Sequence, residues 1–515
     1  MFREARRRSL AVIFAVTWGA TISAEHGRRP TIAIPRTWDD AEIARHEVPL
    51  ADPVGSPRHA SSDYYYRIPV RPIYKGYPVY APGREPAGYL EGLKQQEPVV
   101  IWDDKDKAPP LETEADWIRA GQTVFEAPLG ALPYFRIEDV RDPDWVEATG
   151  APVAADGTLP VFQYLVRRKG TVELGSNACA FCHTRVMPDG GVLRGAQGNF
   201  PVQRAFAYGV RHSYAAAGDK EAFAARLHGF VKSLHAAPWM RPDPEAPVGS
   251  MSVEEIASVF EVVPPSASLR HRSNSFLAVQ VPDLIGVKER RYLDRTGLEV
   301  HRSIGDMMRY AAMNQGGDSL ASYAGFIPAG GPGFQERPAP ESRSRYSDEQ
   351  LYALALYIYS LAPPPNPNEG DALAVRGRGV FEREHCGSCH TPPLYTNNKL
   401  TPASGFQVPP DHWKTYDILP VSVGTDTRLT LTTRRGTGYY KVPSLQGLWY
   451  RSAFPHDGSC ATLEDWFDPA RLKDDYVPTG FKGYGVRTRA VPGHEFGLAL
   501  SPEDKHALIT FLKTL

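Results

Sequence analysis

Cysteine is scarce in this chain of 515 residues: there are five, so each has to be accounted for. Methionine is scarcer still beyond the middle of the chain, where none follows Met313, which excludes thioether ligation of a metal from there on. An excess of charge is also missing, since 58 Lys and Arg stand against 59 Asp and Glu. That balance gives no electrostatic reason to expect nucleic acid or an anionic membrane as a partner. Low-complexity tracts are absent. What the chain does have is 45 Gly and 47 Pro, which predicts long irregular stretches around a modest helical framework. Its length exceeds what one core supports and implies two or three domains.

Residues 1–24 read as an export signal. Arg3, Arg6, Arg7 and Arg8 form a basic head, Leu10 to Ala20 an uncharged apolar stretch, and Ile22-Ser23-Ala24 a cleavage site. The apolar stretch is well short of the roughly 20 residues that span a bilayer. Cleavage is therefore expected, with an uncleaved anchor as the alternative, and the mature protein is expected in the periplasm or outside the cell.

Four of the five cysteines fall into two identical patterns, Cys179-Ala-Phe-Cys182-His183 and Cys386-Gly-Ser-Cys389-His390. Two thiols three positions apart on a helical turn can reach the two vinyl groups of one porphyrin as thioethers. The histidine that follows then points at the iron from the proximal side. The expected cofactors are thus two covalently bound haems c, with Cys179, Cys182, Cys386 and Cys389 as attachment points and His183 and His390 as iron ligands. A four-cysteine zinc site uses the same pair spacing, but the pairs lie far apart and zinc needs no histidine directly after each. Disulfides, the other alternative, also leave the two histidines without a role. Cys460 remains, and reads as a small buried thiol.

The motifs sit in two copies of one unit. Gly121-Gln-Thr-Val-Phe125-Glu126 precedes the first and Gly377-Arg-Gly-Val-Phe381-Glu382 the second. In each, Gly and Phe share a helical face, where the small residue lets another helix approach. A Val-Pro-x-Leu-x-Gly string follows each motif, at Val281 to Gly286 and at Val442 to Gly447. Each copy closes in an amphipathic helix, from Ser347 through Leu361 and from Ser501 through Leu515, with Ser at the cap and acid in the first turn. Ala353, Leu354, Ile358 and Leu361 correspond to Ala507, Leu508, Leu512 and Leu515. The expected fold is mainly α: two tandem cytochrome c-like haem domains, about 115–362 and 370–515, with long irregular insertions in the first. The stretch Ala362 to Asn368, rich in proline, reads as a stiff linker. Residues 25–114 read as an irregular arm that packs across a haem domain, being too aromatic for a free tail.

On these motifs the chain resembles the bacterial di-haem cytochrome c peroxidase superfamily. That group includes the di-haem peroxidases, the methylamine dehydrogenase maturation enzyme and the haem-dependent rubber oxygenases. Further carriers are the phrase VPSLQGLWYRSAFPHDGSCATLEDW (Val442 to Trp466) and the closing GHEFGLALSPEDKHALITFLKTL (Gly493 to Leu515). The arm phrase YPVYAPGREPAGYLEGLKQQEP (Tyr77 to Pro98) looks most like the rubber-oxygenase branch. The resemblance implies an unequal pair, one haem relaying electrons with both axial positions filled, the other open to peroxide or dioxygen.

A second axial ligand in such a domain comes from the segment before the closing helix. In the second copy that segment holds His494, with His456 as the rival, either as ligand or as a contact to a haem propionate. The corresponding stretch of the first copy, Gly325 to Arg345, has neither His nor Met. The repeat sets Arg295 against His456 and Gly297 against Gly458, which puts Arg295 on the distal side of the first haem. No His lies between His183 and His212, a departure from the gated peroxidases that favours a permanently five-coordinate first haem. Trp239, Met240, Tyr292, Met307, Met308 and Tyr310 are candidates for its pocket, with ordinary core as the competing role for each. A general acid or base is not identified beyond Glu173 and Glu289.

The leading expectation is an oxidoreductase of peroxidase or oxygenase type, with peroxide or dioxygen at the first haem and an organic or protein substrate. A small electron-donor protein is a further expected partner. A non-catalytic periplasmic electron carrier is the alternative, and an enzyme that modifies a protein partner at a distance is a third reading.

Overall fold

The computed structural model describes residues 32–130, 132–269, 274–314, 320–328 and 344–515. The export-signal expectation lies outside them, as does most of the stretch between Gly325 and Arg345. Among the described residues the protein is mainly helical, with 35% in helix and 13% in strand. No helix among them is long and apolar enough to cross a membrane.

Two helix pairs organise the fold. Helix α1 (Glu114–Glu126) packs on α2 (Asp348–Ser360), and α3 (Ala372–Arg383) packs on α4 (Pro502–Lys513). Each start is built from its sequence. Thr113 and Asp116 form a capping box for α1, and Ser347 and Gln350 do the same for α2. Asp371 caps α3, and Ser501 caps α4 with Pro502 in the first turn, where its missing N–H costs nothing.

The crossing point is the same in both pairs. A Cβ on Gly121 would fall on the carbonyl of Ala353 and lie 2.7 Å from the Cβ of Tyr357. One on Gly377 would fall on the carbonyl of Ala507 and lie 2.7 Å from the Cβ of Phe511. Four residues on, Phe125 meets Tyr357 with ring centres 5.2 Å apart, and Phe381 meets Phe511 at 5.4 Å. The repeated Gly and Phe are thus one helix contact made twice.

The two insertions of the first copy form their own layer. Strand Thr158–Arg168 pairs antiparallel with Thr171–Gly175, and helices Val202–Ala216 and Val253–Glu261 pack together beside them. Phe135, Phe162, Phe181 and Phe200 share the buried cluster between these elements, and Phe181 lies inside the first Cys-x-x-Cys turn. The haem motif of the first copy is therefore anchored on its insertion.

The arm differs from expectation in having regular structure. Gly76–Tyr80 pairs with Thr158–Arg168 as an edge strand, a position where Pro78 loses no ladder bond. Trp38 is fully buried and stacks on Tyr65 at 4.6 Å. The arm also ties to both copies, with Val48 N donating to Leu298 O (2.7 Å) and Ala51 N to Gly436 O (2.9 Å). Its aromatics bury against the body, which is why it is ordered. The proline-rich linker has no regular structure, and Asn366 Nδ2 fastens it to Lys513 O at 2.9 Å.

Adding a methyl at either crossing glycine pushes on main chain that cannot swing away. Gly377→Ala is expected to destabilise the C-terminal half by about 1–3 kcal/mol. Thermal or denaturant unfolding checks it, and an unchanged midpoint would contradict the close approach.

Candidate functional site

Between α3, α4 and the loops after them lies a cavity of about 280 Å3. Cys386, Cys389 and His390 line it, and Phe381, Leu445, Leu448, Phe454, Leu508 and Leu512 supply apolar wall. His494 enters opposite His390, with ring centres 6.2 Å apart and planes inclined by 60°. Two imidazoles bound end-on to one metal have centres roughly 6 Å apart, taking about 2 Å per bond and about 1 Å from nitrogen to ring centre. The spacing fits a single iron held between the two rings, inside walls suited to a porphyrin face.

The tautomer of His390 follows from its neighbours. Its Nδ1 lies 3.1 Å from both Tyr395 O and Pro443 O, so this nitrogen carries the proton and donates. Nε2 is left with a lone pair for a metal. In the first copy His183 Nδ1 meets Pro282 O at 3.0 Å. Pro282 and Pro443 are the prolines of the two Val-Pro-x-Leu-x-Gly strings, which explains the repeat: each presents one carbonyl that orients one proximal histidine.

The strings extend further than their glycines. Arg290 donates to Asp283 O and Ile285 O, each at 2.7 Å. Arg451, the same distance beyond its own Val-Pro, donates to Ser444 O (2.9 Å) and Gln446 O (3.1 Å). Asp283 Oδ1 accepts from Ile285 N as Ser444 Oγ accepts from Gln446 N. Gly286 and Gly447 both take left-handed backbone, as do Gly297 and Gly458. Each turn that holds a proximal histidine is thus braced by an arginine that the sequence reading overlooked.

His494 is held by strain and a buried cation. Its φ of 48° and that of Gly493, 84°, put two successive residues in the left-handed region, uncommon for a histidine. Arg471, fully buried, fixes this turn: it donates to Val491 O (2.5 Å), Gly493 O (2.9 Å) and His494 O (2.9 Å), and Nε donates to Trp466 O. Trp466 and Phe496 flank the His494 ring at 5.5 and 5.2 Å. Burial, with the nearby His390, depresses the His494 pKa to about 4, so the imidazole stays neutral and able to bind a metal.

His456 lines the same cavity, its ring tilted against Tyr440 with centres 4.7 Å apart. Its Nδ1 is buried without a hydrogen-bond partner, while its carbonyl accepts from Gln280 N. Of the two histidines, His494 is the one whose ring faces that of His390. Arg295, expected on the distal side of the first haem, lines this C-terminal cavity. The reason is that its loop crosses between the copies, which comparison of aligned strings does not show.

Around the first motif, Met307, Met308 and Tyr310 share a buried cluster with Ala178, Ala180 and Cys179. Tyr292 is elsewhere, its hydroxyl accepting from Asp417 N at 3.0 Å, and Trp239 stacks on Tyr323. Met240 caps no cluster beside the cysteines and lies in the turn after Trp239. Glu173 pairs with Arg167 at 3.5 Å and Glu289 is exposed, so neither carboxylate is sequestered in a cavity. Cys460 is fully buried, as expected, and burial pushes its thiol up to about 12. Among the described residues no three His, Cys, Asp or Glu side chains gather into a metal cage, so the cysteine pairs do not meet as a zinc site. Among the sequestered acids, Glu245 has a raised pKa: it is fully buried, accepts from Ser275 N (2.6 Å) and Oγ (2.7 Å), and burial lifts its pKa to about 7.

No family model matches the chain, and no curated protein matches it. Among solved structures it is similar to hydrazine synthase of Kuenenia stuttgartiensis pressurised with xenon, at 16% identity and a TM-score of 0.28. That match covers 59% of this chain and 92% of the other. A MauG-like protein associated with microbial copper homeostasis is similar at 14% identity and a TM-score of 0.30, over 57% of this chain and 88% of that one. Values this low leave the residues themselves to carry the functional reading.

Arg471→Met strands three carbonyls of the His494 turn and is expected to cost about 1–3 kcal/mol. Arg471→Lys, a point donor in place of a fork, should recover only part of that in the same melt. Glu245 predicts a pH dependence. Its folded pKa, about 7, lies above the ordinary 4.5, so the folded state holds the proton longer and stability falls as pH rises between those values. Glu245→Gln should flatten that part of the stability-against-pH profile, and an unchanged slope would refute the shift.

Proposed function

We propose that the chain is an exported di-haem c-type cytochrome that works as an oxidoreductase, with one haem on Cys179 and Cys182 and one on Cys386 and Cys389. The observation that carries this reading is His494 facing His390 at 6.2 Å across an apolar cavity that also presents two cysteines. A haem supplies one-electron transfer when both axial positions are filled, and a site for peroxide or dioxygen when one is open.

The chain's own residues divide these roles. In the C-terminal half His390 and His494 would hold the iron, Pro443 orients the His390 ring, and Arg471 holds the His494 turn. The apolar wall excludes water, which suits electron relay. In the N-terminal half His183 is oriented by Pro282 in the same way. The stretch Gly325 to Arg345 contains no His or Met, which supports an open position there. Peroxide or dioxygen would bind on that side, acting on an organic or protein substrate, with electrons exchanged through the C-terminal haem and a small donor protein. Maturation and function would take place in the periplasm or outside the cell. The second reading, an electron carrier without catalysis, is favoured by the same cavity, since both its axial positions are supplied from within the chain.

Pyridine haemochrome analysis should give two c-type haems per chain. His494→Ala should turn the C-terminal haem high-spin, while His456→Ala should perturb its spectrum and leave it low-spin. The reduced protein should bind carbon monoxide at one haem in two. Binding at neither haem would leave the carrier reading; a low-spin His494→Ala beside a high-spin His456→Ala would reverse the ligand assignment.

A further inference from the structure

The two copies meet in a contact that is made twice. Gln280 N donates to His456 O at 2.7 Å, and Lys441 N donates to Arg295 O at 3.1 Å. In the repeat Gln280 corresponds to Lys441 and Arg295 to His456, so the contact is reciprocal about a local two-fold axis. The side chains depart from that symmetry. One contact carries a glutamine and a histidine, the other a lysine and an arginine, and all four line the C-terminal cavity.

Lys441 and Arg295 also line a second, smaller cavity of about 20 Å3, together with Arg290, Arg451 and Asp283. Cys386 and Cys389 line the larger cavity and not this smaller one. Arg295 is 8% exposed. The hydrogen bonds of the four cationic head groups all run to main-chain carbonyls: Arg290 to Asp283 O and Ile285 O, Arg295 to Gln280 O, Lys441 to Tyr292 O, Arg451 to Ser444 O and Gln446 O. Carbonyls satisfy donors without cancelling charge. The carboxylates that face the group are Asp283 and Asp294, and Asp283 already accepts from Tyr450 Oη (2.7 Å) and Ile285 N (2.8 Å). Two positive charges are left over. Burial and mutual repulsion depress the pKa of Arg295 to about 9 and that of Lys441 well below its ordinary value. Like charges gathered in low dielectric are unfavourable unless an anion joins them.

We propose that Arg295 and Lys441, flanked by Arg451, Gln280 and His456, form a carboxylate-binding site that takes the two propionates of the haem on His390. The proposal rests on the reading that a haem is attached at Cys386 and Cys389. Thioethers hold one edge of a porphyrin and its two carboxylates leave from the opposite edge, which matches the placement of cysteines and cations around one cavity. Two carboxylates also answer the two surplus charges. A guanidinium and an ammonium beside them form charge-assisted hydrogen bonds, the stronger kind. Placed there, the cations favour the reduced haem electrostatically and raise its potential.

The test uses the holo-protein. Lys441→Met and Arg295→Met are made separately, with Lys441→Arg as the charge-conserving control and Gln280→Glu as a variant that sets a competing carboxylate in the site. Haemochrome content, the propionate bending bands in resonance Raman spectra and the midpoint potential of the low-spin haem are read for each. Both Met variants and Gln280→Glu should keep two haems and the low-spin spectrum, shift the propionate bands and lower the potential; Lys441→Arg should stay near the wild type. Unchanged bands and potential in both Met variants, with haem content intact, would overturn the proposal. So would a wild-type potential that follows added phosphate or acetate and loses that dependence in Lys441→Met, which would mark the cations as a site for free anions. A protein whose haem content survives replacement of Cys386 and Cys389 by Ser would instead refute the underlying haem assignment.

Discussion

His390 and His494 face each other across a gap of the width one metal atom would span, and much of the C-terminal half is arranged to keep that gap fixed. One ring is set from behind by a proline carbonyl, which decides its tautomer as well as its direction. The other hangs from a left-handed turn that would relax without help. Arg471 supplies that help by donating to three carbonyls of the turn from inside the core. The helix crossing at Gly377 brings the apolar faces of α3 and α4 close enough to wall the space between the rings.

The frame is duplicated and the function is not. Glycine crossing, inclined aromatic pair, proline carbonyl, arginine brace and left-handed glycines recur in both copies. These are the parts that place a proximal histidine, and they are indifferent to what lies across the iron. Divergence is concentrated elsewhere: in the distal segment, where one copy has His494 and the other no ligating side chain, and at the contact between copies. There, reciprocal main-chain bonds are kept while the side chains change from glutamine and histidine to lysine and arginine. Keeping the scaffold symmetric while changing the groups around it is what two sites of different chemistry on one fold would require.

How much of this was readable in the chain depends on the range of each interaction. The Cys-x-x-Cys-His strings, the helix caps at Ser347 and Ser501 and the crossing glycines are local patterns with local causes, and they are found where expected. Arg290 and Arg451 stand nine residues after each Val of the repeated string, but an arginine whose partners are main-chain carbonyls carries no sign of its role in the sequence. Arg471 leaves no such trace, because its partners are main-chain carbonyls about twenty residues away and any residue type can supply them. Arg295, set against His456 by the repeat, lines the C-terminal cavity, a placement that alignment of the copies does not reveal because its loop crosses between them. The arm was readable as buried from its aromatics, but its edge strand depends on a partner supplied by the first insertion.

The direct measurement is the EPR spectrum of the purified, oxidised holo-protein. A low-spin signal from a haem with two imidazole ligands beside a high-spin signal from a second haem is the expected result. A high-spin signal alone would contradict the pairing of His390 with His494, and two low-spin signals would contradict an open position beside His183.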